Sequence, residues 1–295
     1  MKKIFFASLF VLAACQEAPQ NHELGFIDPA VSADIIRGNP VPAQDKLART
    51  VFMLVSTDST ATSDMDGASI CTASALTSKI AITAAHCVQG GPDMTHRLHV
   101  VDEKGVTTTN KVLKFKQHEE FIPDVNAYRA SLPKEEQDLR IENHDIAILL
   151  LENELPASTI YPHLPESDEF LEINGPFTKL LAVGFGRVTG EALRDGKSGI
   201  LRQGEVEGKG YNPERMTFEI DQSDGKSQGI CTGDSGGPSF LETSKGLVLV
   251  GIAYEVAPYV FPGDENPDRC LGTGHYVNVQ SQLNWILNTS EELLK

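Results

Sequence analysis

The sequence predicts an all-β fold, and two observations carry that expectation. Short apolar runs recur along the 295 residues, broken by Gly, Pro, Asn and Asp, which is the spacing of strands and turns. Helical periodicity is scarce until the C-terminus. There Ser281–Leu294 holds the single tryptophan, Trp285, and spaces Leu283, Ile286 and Leu287 to cover one helix face.

In chain order, the first element is an export signal. Met1-Lys2-Lys3 is basic, and Ile4–Leu12 is an apolar core too short to cross a bilayer as a helix. Leu12-Ala13-Ala14-Cys15 follows, and small residues before a cleavage site mark a secretory signal. A cysteine here resembles the bacterial lipobox. That resemblance implies cleavage before Cys15, diacylglycerol on its sulfur and acylation of its amine. The plainer alternative is an ordinary secretory signal with an incidental cysteine. Several acyl chains anchor stably where one binds only marginally. Gln16, not Asp, follows the cysteine, which in enteric-type sorting favours the outer membrane. The expected address is therefore a bacterial cell envelope. Residues 1–14 form the signal peptide. Residues 15–34, polar with scattered prolines, form a tether or propeptide.

The next informative run is Lys79-Ile80-Ala81-Ile82, a strand, leading into Thr83-Ala84-Ala85-His86-Cys87. A histidine at a strand end with small neighbours can face a cleft. Imidazole titrates near neutrality, so His86 can take and return a proton. Seven other histidines compete, and the nearest rival, His144, is expected at the solvent edge of the next strand. That strand opens His144-Asp145-Ile146-Ala147-Ile148-Leu149-Leu150-Leu151. A carboxylate entering so apolar a run needs a partner, because burying an unpaired charge is costly. His86 would satisfy Asp145, which in turn would fix the imidazole's tautomer and orientation. The bland alternative is an aspartate serving as a turn residue. Phe121–Glu142, acidic and proline-containing, lengthens the interval between the two motifs and reads as a long loop.

The strongest signal is Cys231-Thr232-Gly233-Asp234-Ser235-Gly236-Gly237-Pro238. A serine hydroxyl attacks well only with a base to deprotonate it and donors to hold the oxyanion. Glycines let a loop turn its N–H groups toward one point. Ser235 is thus the candidate nucleophile, with the Gly233 and Ser235 N–H groups as the oxyanion hole. A Gly-rich surface turn is the alternative for this segment alone. Three independent motifs in the order His, Asp, Ser weigh against it.

These segments resemble the chymotrypsin/trypsin-like serine endopeptidase family. Thr83–Cys87, Asp145–Leu151 and Gly233–Pro238 carry the resemblance. Gly184-Phe185-Gly186, Gly251-Ile252 and Tyr276-Val277-Asn278-Val279 add weaker matches. It implies two six-stranded antiparallel β-barrels over residues 35–295, with His86, Asp145 and Ser235 in the cleft between them. It also implies protein or peptide substrates. A non-catalytic binding protein on the same fold is the rival, since fold does not fix function; an intact triad argues against it.

Of five cysteines, Cys15 is the odd one. Cys71, Cys87, Cys231 and Cys270 remain, an even set in an export context, with three possible pairings. The resemblance favours Cys71–Cys87 and Cys231–Cys270. No CxxC or HxxxH spacing points to zinc, and neither metal nor cofactor is expected.

Asp34-Ile35-Ile36-Arg37-Gly38-Asn39-Pro40-Val41 resembles the family's activation site. By that resemblance, an activating protease frees Ile35, whose ammonium pairs with Asp234 and orders the oxyanion hole and pocket. Two features depart from the family: Arg37 replaces a small residue, and Asp34 is no target for a trypsin-like activator. A chance Ile-Ile before a turn is the alternative. Resemblance also places Gly229 at the base of the specificity pocket, beside Ile230, with Gly274 and Val256 as walls. An apolar base leaves a basic side chain unpaired, so a neutral, apolar P1 residue is expected. Ala257–Arg269 reads as an insertion, Tyr254-Glu255 departs from the family, and Asp224 and Asp264 are nearby acids that a shifted loop would bring in. The formal charge of −16 becomes about −18 without Lys2 and Lys3, which argues against nucleic acid as a partner.

Overall fold

The computed structural model describes residues 35–61, 68–137, 143–166, 178–190, 198–212, 216–260 and 268–295. Six strands in the first half are β2 (Val51–Asp58), β3 (Ser69–Ala75), β4 (Ile80–Thr83), β5 (Met94–Val101), β6 (Thr107–Gln117) and β7 (Ala147–Leu151). They close into an antiparallel barrel ordered β2-β3-β4-β7-β6-β5. Period-two burial is visible in β5, where His96, Leu98 and Val100 are buried and their neighbours half-buried. β4 is buried along its whole length and β7 nearly so, which is why both read as unbroken apolar runs.

The second barrel uses β8 (Thr178–Gly184), β9 (Arg202–Asn212), β10 (Thr217–Asp221), β11 (Pro238–Thr243), β12 (Gly246–Pro258) and β13 (Gly272–Asn278). Their order is β9-β10-β13-β12-β11-β8, and β8 pairs back onto β9 to close the ring. A two-residue strand, β1 (Asn39–Pro40), adds to β9 from outside. The expected pair of six-stranded barrels is therefore what the chain forms. In the second core Phe218 and Tyr276 stack with ring centroids 4.9 Å apart. A Cβ on Gly251 would fall 2.5 Å from the Phe218 ring, so that glycine is fixed by packing.

Among the described residues, two helices flank the barrels. α2 (Leu283–Leu293) lies within the predicted 281–294, but its buried stripe differs from the expected one. Gln282, Ile286 and Thr289 are buried, whereas Leu287 is 48% exposed. The stripe runs at intervals of four and three residues from Gln282, and Leu287 falls one position past it. α1 (Val125–Ser131) rises from the loop at 121–142, of which 138–142 lie outside the described residues. Asp124 caps it by accepting from Ala127 N at 2.8 Å, and none of its residues is buried. Asn143 clamps the loop's base, accepting from Ile122 N at 2.9 Å.

Both expected disulfides form. Cys71–Cys87 and Cys231–Cys270 have Cα separations of 6.0 and 5.1 Å. Their sequence separations of 16 and 39 residues correspond to roughly 3 and 4 kcal/mol of chain-entropy stabilisation.

Ile286→Ala is expected to destabilise by about 2–5 kcal/mol, as for a buried large-to-small change, and Leu287→Ala by no more than about 0.5 kcal/mol. Urea midpoints of the two variants check this; equal losses would contradict the burial of α2.

Candidate active site

His86 belongs to a 3-10 turn, Ala85–Val88, that ends the β4 segment. Its Nδ1 lies 2.8 Å from Asp145 Oδ2, and its backbone N–H donates to Asp145 Oδ1 at 2.9 Å. One carboxylate thus holds both the ring and the main chain of the same residue. Asp145 is 4% exposed, so these bonds supply the compensation its burial requires. A carboxylate only accepts, so Nδ1 carries the hydrogen and Nε2 keeps its lone pair. Asp145 sits two residues before β7, at the head of its apolar run. His144 does not sit at a solvent edge: it is 7% exposed, covered by His118, stacked at 4.4 Å, and by Gln282.

Ser235 lies in the loop between β10 and β11, and Asp234 shapes that loop from inside. The Asp234 carboxylate is buried and accepts from Gly186 N at 2.8 Å and Cys231 N at 2.9 Å. A Cβ at Gly184 or Gly186 would overlap it, which accounts for the Gly184-Phe185-Gly186 motif. Gly233 adopts φ +100°, a conformation that disfavours any side chain. The N–H groups of Asp234, Gly236 and Gly237 donate to Cys231 O, Ala253 O and Asp234 O. Those of Gly233 and Ser235 donate to no group among the described residues.

Thr72 of β3 joins this loop to the first barrel. Its N–H donates to Ser235 O at 2.8 Å, and its hydroxyl donates to Gly233 O at 3.0 Å and accepts from Phe185 N at 3.1 Å. Thr83 donates its hydroxyl to Thr72 O at 2.7 Å. A Cβ on Gly236 would overlap both Thr83 Oγ1 and Thr72 O, so the loop fits only as glycine there. The Cys87 sulfur lies 3.6 Å from the Ser235 carbonyl oxygen and 3.7 Å from His86 Nε2, so the imidazole and the main chain of the serine loop border the same disulfide. Thr72 was not anticipated from sequence: a buried threonine in a strand carries no motif of its own.

A sequence model of the trypsin family matches residues 35–286. The chain belongs to the trypsin family. It is accordingly a serine endopeptidase, a hydrolase acting on protein or peptide substrates. No curated protein matches it.

Beside Ser235 opens a cleft of about 400 Å³. Ile230, Ala253, Val256, Glu255 and Arg269 are among its walls. Ile230 and Val256 are thus among the residues that line it. Gly229 and Gly274 are not; both back onto Gln222, whose amide a Cβ at either position would crowd. Gln222 is fully buried. Its Nε2 donates to Ile230 O and Cys270 O, and its Oε1 accepts from Ile230 N at 2.9 Å. Val256 pairs with Gly274 across β12 and β13, after a register shift between Ala253 and Glu255. The Tyr254-Glu255 departure is thus a β-bulge, which turns an exposed carboxylate into the cleft. Asp224 is elsewhere, capping Lys226 N and Ser227 N in its own turn. Asp264, like Asp34 and Cys15, lies outside the described residues.

Ile35 is fully buried among Leu180, Val206, Phe218 and Ile230, and Ile36 exchanges two backbone hydrogen bonds with Gly229. Ile35 and Arg37 have φ of +52° and +59°. A β-branched residue is a marked outlier there, at a cost of about 1–3 kcal/mol.

Burial lowers the affinity of His86 for a proton, but the Asp145 hydrogen bond and charge, with the Glu255 charge, outweigh it and hold the imidazole above its ordinary 6.5. A raised folded value stabilises the protein fully below 6.5, and that contribution is lost as pH rises through the folded value. A histidine that serves as general base must be neutral, so activity through such a base runs the other way. The acid limb of kcat/KM should therefore titrate above 6.5. Glu255→Gln, which removes one stabilising charge, should move that limb to lower pH. A limb unmoved or shifted upward in the pH profile would contradict the electrostatic role of Glu255.

Proposed function

We propose that Ser235 attacks the scissile carbonyl while His86 Nε2 takes its proton. His86 then returns that proton to the leaving amine. Water, deprotonated by His86, hydrolyses the acyl-enzyme. Asp145 orients the imidazole and stabilises its protonated form, and the Gly233 and Ser235 N–H groups hold the oxyanion. The observation that carries this reading is the double Asp145–His86 bond, set beside a serine loop with two unspent N–H groups. A fluorophosphonate followed by intact mass tests it: one adduct per chain is expected, lost in Ser235→Ala. An adduct that survives Ser235→Ala would overturn the assignment.

The cleft supports a neutral P1 side chain of modest size. Behind it, Gln222 has its amide hydrogen and oxygen occupied by main-chain groups, so among the described residues a neutral amide, not a charge, backs the cleft where Arg or Lys would need a partner. Val256 narrows the wall. A P1 library should rank small and medium apolar residues first; strict Arg or Lys preference would refute the assignment and point to Glu255 as the acid that reads P1.

The same reading includes activation between Asp34 and Ile35 by a protease of non-tryptic specificity. Two observations support it. The family match begins at Ile35. The unfavourable φ of Ile35 exists only while a residue precedes it, so cutting that bond relieves the strain. The freed ammonium pairs with Asp234 in this account. Residues 1–14 act as a signal peptide, Cys15 carries lipid at the bacterial envelope, and 15–34 tether the enzyme until activation releases it. The intact mass used above reads these points too: a chain starting at Ile35 fits, and an active chain still carrying residues 15–34 does not.

A further inference from the structure

Next to Asp145 in the chain, at His144, three side chains converge that the catalytic scheme leaves idle. His118, Glu120 and His144 each present a ligand atom, and these atoms all lie within 4.8 Å of one another. The two imidazoles stack at 4.4 Å with planes 15° apart, and His144 Nε2 lies 3.1 Å from Glu120 Oε2. We propose that His118, Glu120 and His144 form a zinc(II) site with two imidazole ligands, one carboxylate and an open fourth position.

The donor set argues for the metal class. Two imidazoles with a carboxylate suit zinc or a neighbouring transition ion, whereas calcium and magnesium take oxygen ligands. The other converging group, Cys71, His86 and Cys87, is no competitor, because its two sulfurs are joined in a disulfide and offer no thiolate.

The surroundings fit a ligated histidine. A metal-bound imidazole usually gives its other N–H to a fixed acceptor. Gln282 Nε2 lies 2.8 Å from His144 Nδ1. Turning that amide over presents Oε1 at the same place, which accepts from Nδ1–H and leaves Nε2 to the metal. His144 is the fixed ligand, being 7% exposed. Glu120, with a side chain 70% exposed, and half-buried His118 are the mobile ones. Bonds of about 2.0–2.1 Å put two tetrahedral ligands roughly 3.3 Å apart, so a swing of the two outer side chains closes the site. The turn that carries them is braced by Trp285, whose ring lies 4.9 Å from His118 and whose N–H donates to Glu119. The ligands come from two separated segments: His118 and Glu120 follow β6 directly, and His144 stands just before β7, beyond the long loop. That is why the spacing of CxxC or HxxxH motifs gave no sign of the site.

The site touches the catalytic machinery through the chain itself: His144 is bonded directly to Asp145. A metal here would tie the end of β6 to the segment that delivers the triad aspartate.

The test is a calorimetric titration of zinc(II) into the chelator-stripped full-length protein, with thermal unfolding recorded alongside. One zinc per chain and a raised Tm are expected. Glu120→Gln, a surface change that leaves the apo Tm unaltered, should weaken binding at least about tenfold, the loss that even an outer-shell change causes. His144→Gln should abolish it, and His163→Gln, on the other barrel, should leave it unchanged. No stoichiometric binding would overturn the proposal. So would binding that survives Glu120→Gln and His144→Gln, or that is lost in His86→Gln instead. Because the readout is metal binding, it stands apart from the outcome of the fluorophosphonate experiment.

Discussion

The docking of the Ser235 loop onto Thr72 and Thr83 is the contact on which the rest of the site depends. One apolar cluster spans residues of both barrels and a second lies within the second barrel, but neither barrel alone holds both the imidazole and the serine. Thr72 spends its N–H on Ser235 O and its hydroxyl on Gly233 O and Phe185 N. Thr83 in turn fixes Thr72. These groups are buried, where an unmade hydrogen bond costs about 1–3 kcal/mol, so the register between the barrels is set by polar bonds with few alternatives. The glycines at 184, 186, 233 and 236 then follow as the residues that leave room for carboxylate, hydroxyl and carbonyl.

A second constraint is the economy of buried charge. Asp145 and Asp234 are both nearly sealed from solvent, and each is answered by N–H groups placed for it. Asp145 directs a proton acceptor outward. Asp234 holds the loop that carries the proposed oxyanion donors. Beside them, Gln222 is a neutral counterpart: it fills the space behind the substrate cleft and turns all its polarity inward. Glu255, the one carboxylate among the described residues that line the cleft, arrived by a bulge in β12 and is also felt by His86.

Much of this was legible in the sequence because it rests on local chemistry. His86 after a strand of small and apolar residues, Asp145 at the head of an apolar run, and Ser235 among glycines are each readable within a few residues. Strand burial was equally plain wherever both faces are covered, as in β4 and β7. What escaped depends on partners far away in sequence. Thr72 acts across 161 residues to reach Gly233. Gln222 has no motif, so the buried amide that backs Gly229 left no sign in the sequence. His144 looked like an exposed strand edge until Gln282, 138 residues away, covered it. α1 was unreadable for a different reason: with no buried face it has no apolar period to detect.

The central claim is that a serine, an imidazole and two unspent N–H groups converge on one reacting atom. A crystal structure of the phosphonylated enzyme measures that directly. The account predicts phosphorus on Ser235 Oγ, its phosphoryl oxygen within hydrogen-bond reach of Gly233 N and Ser235 N, and His86 still bound to Asp145. A phosphoryl oxygen turned away from those two N–H groups, or phosphorus on any other residue, would contradict it.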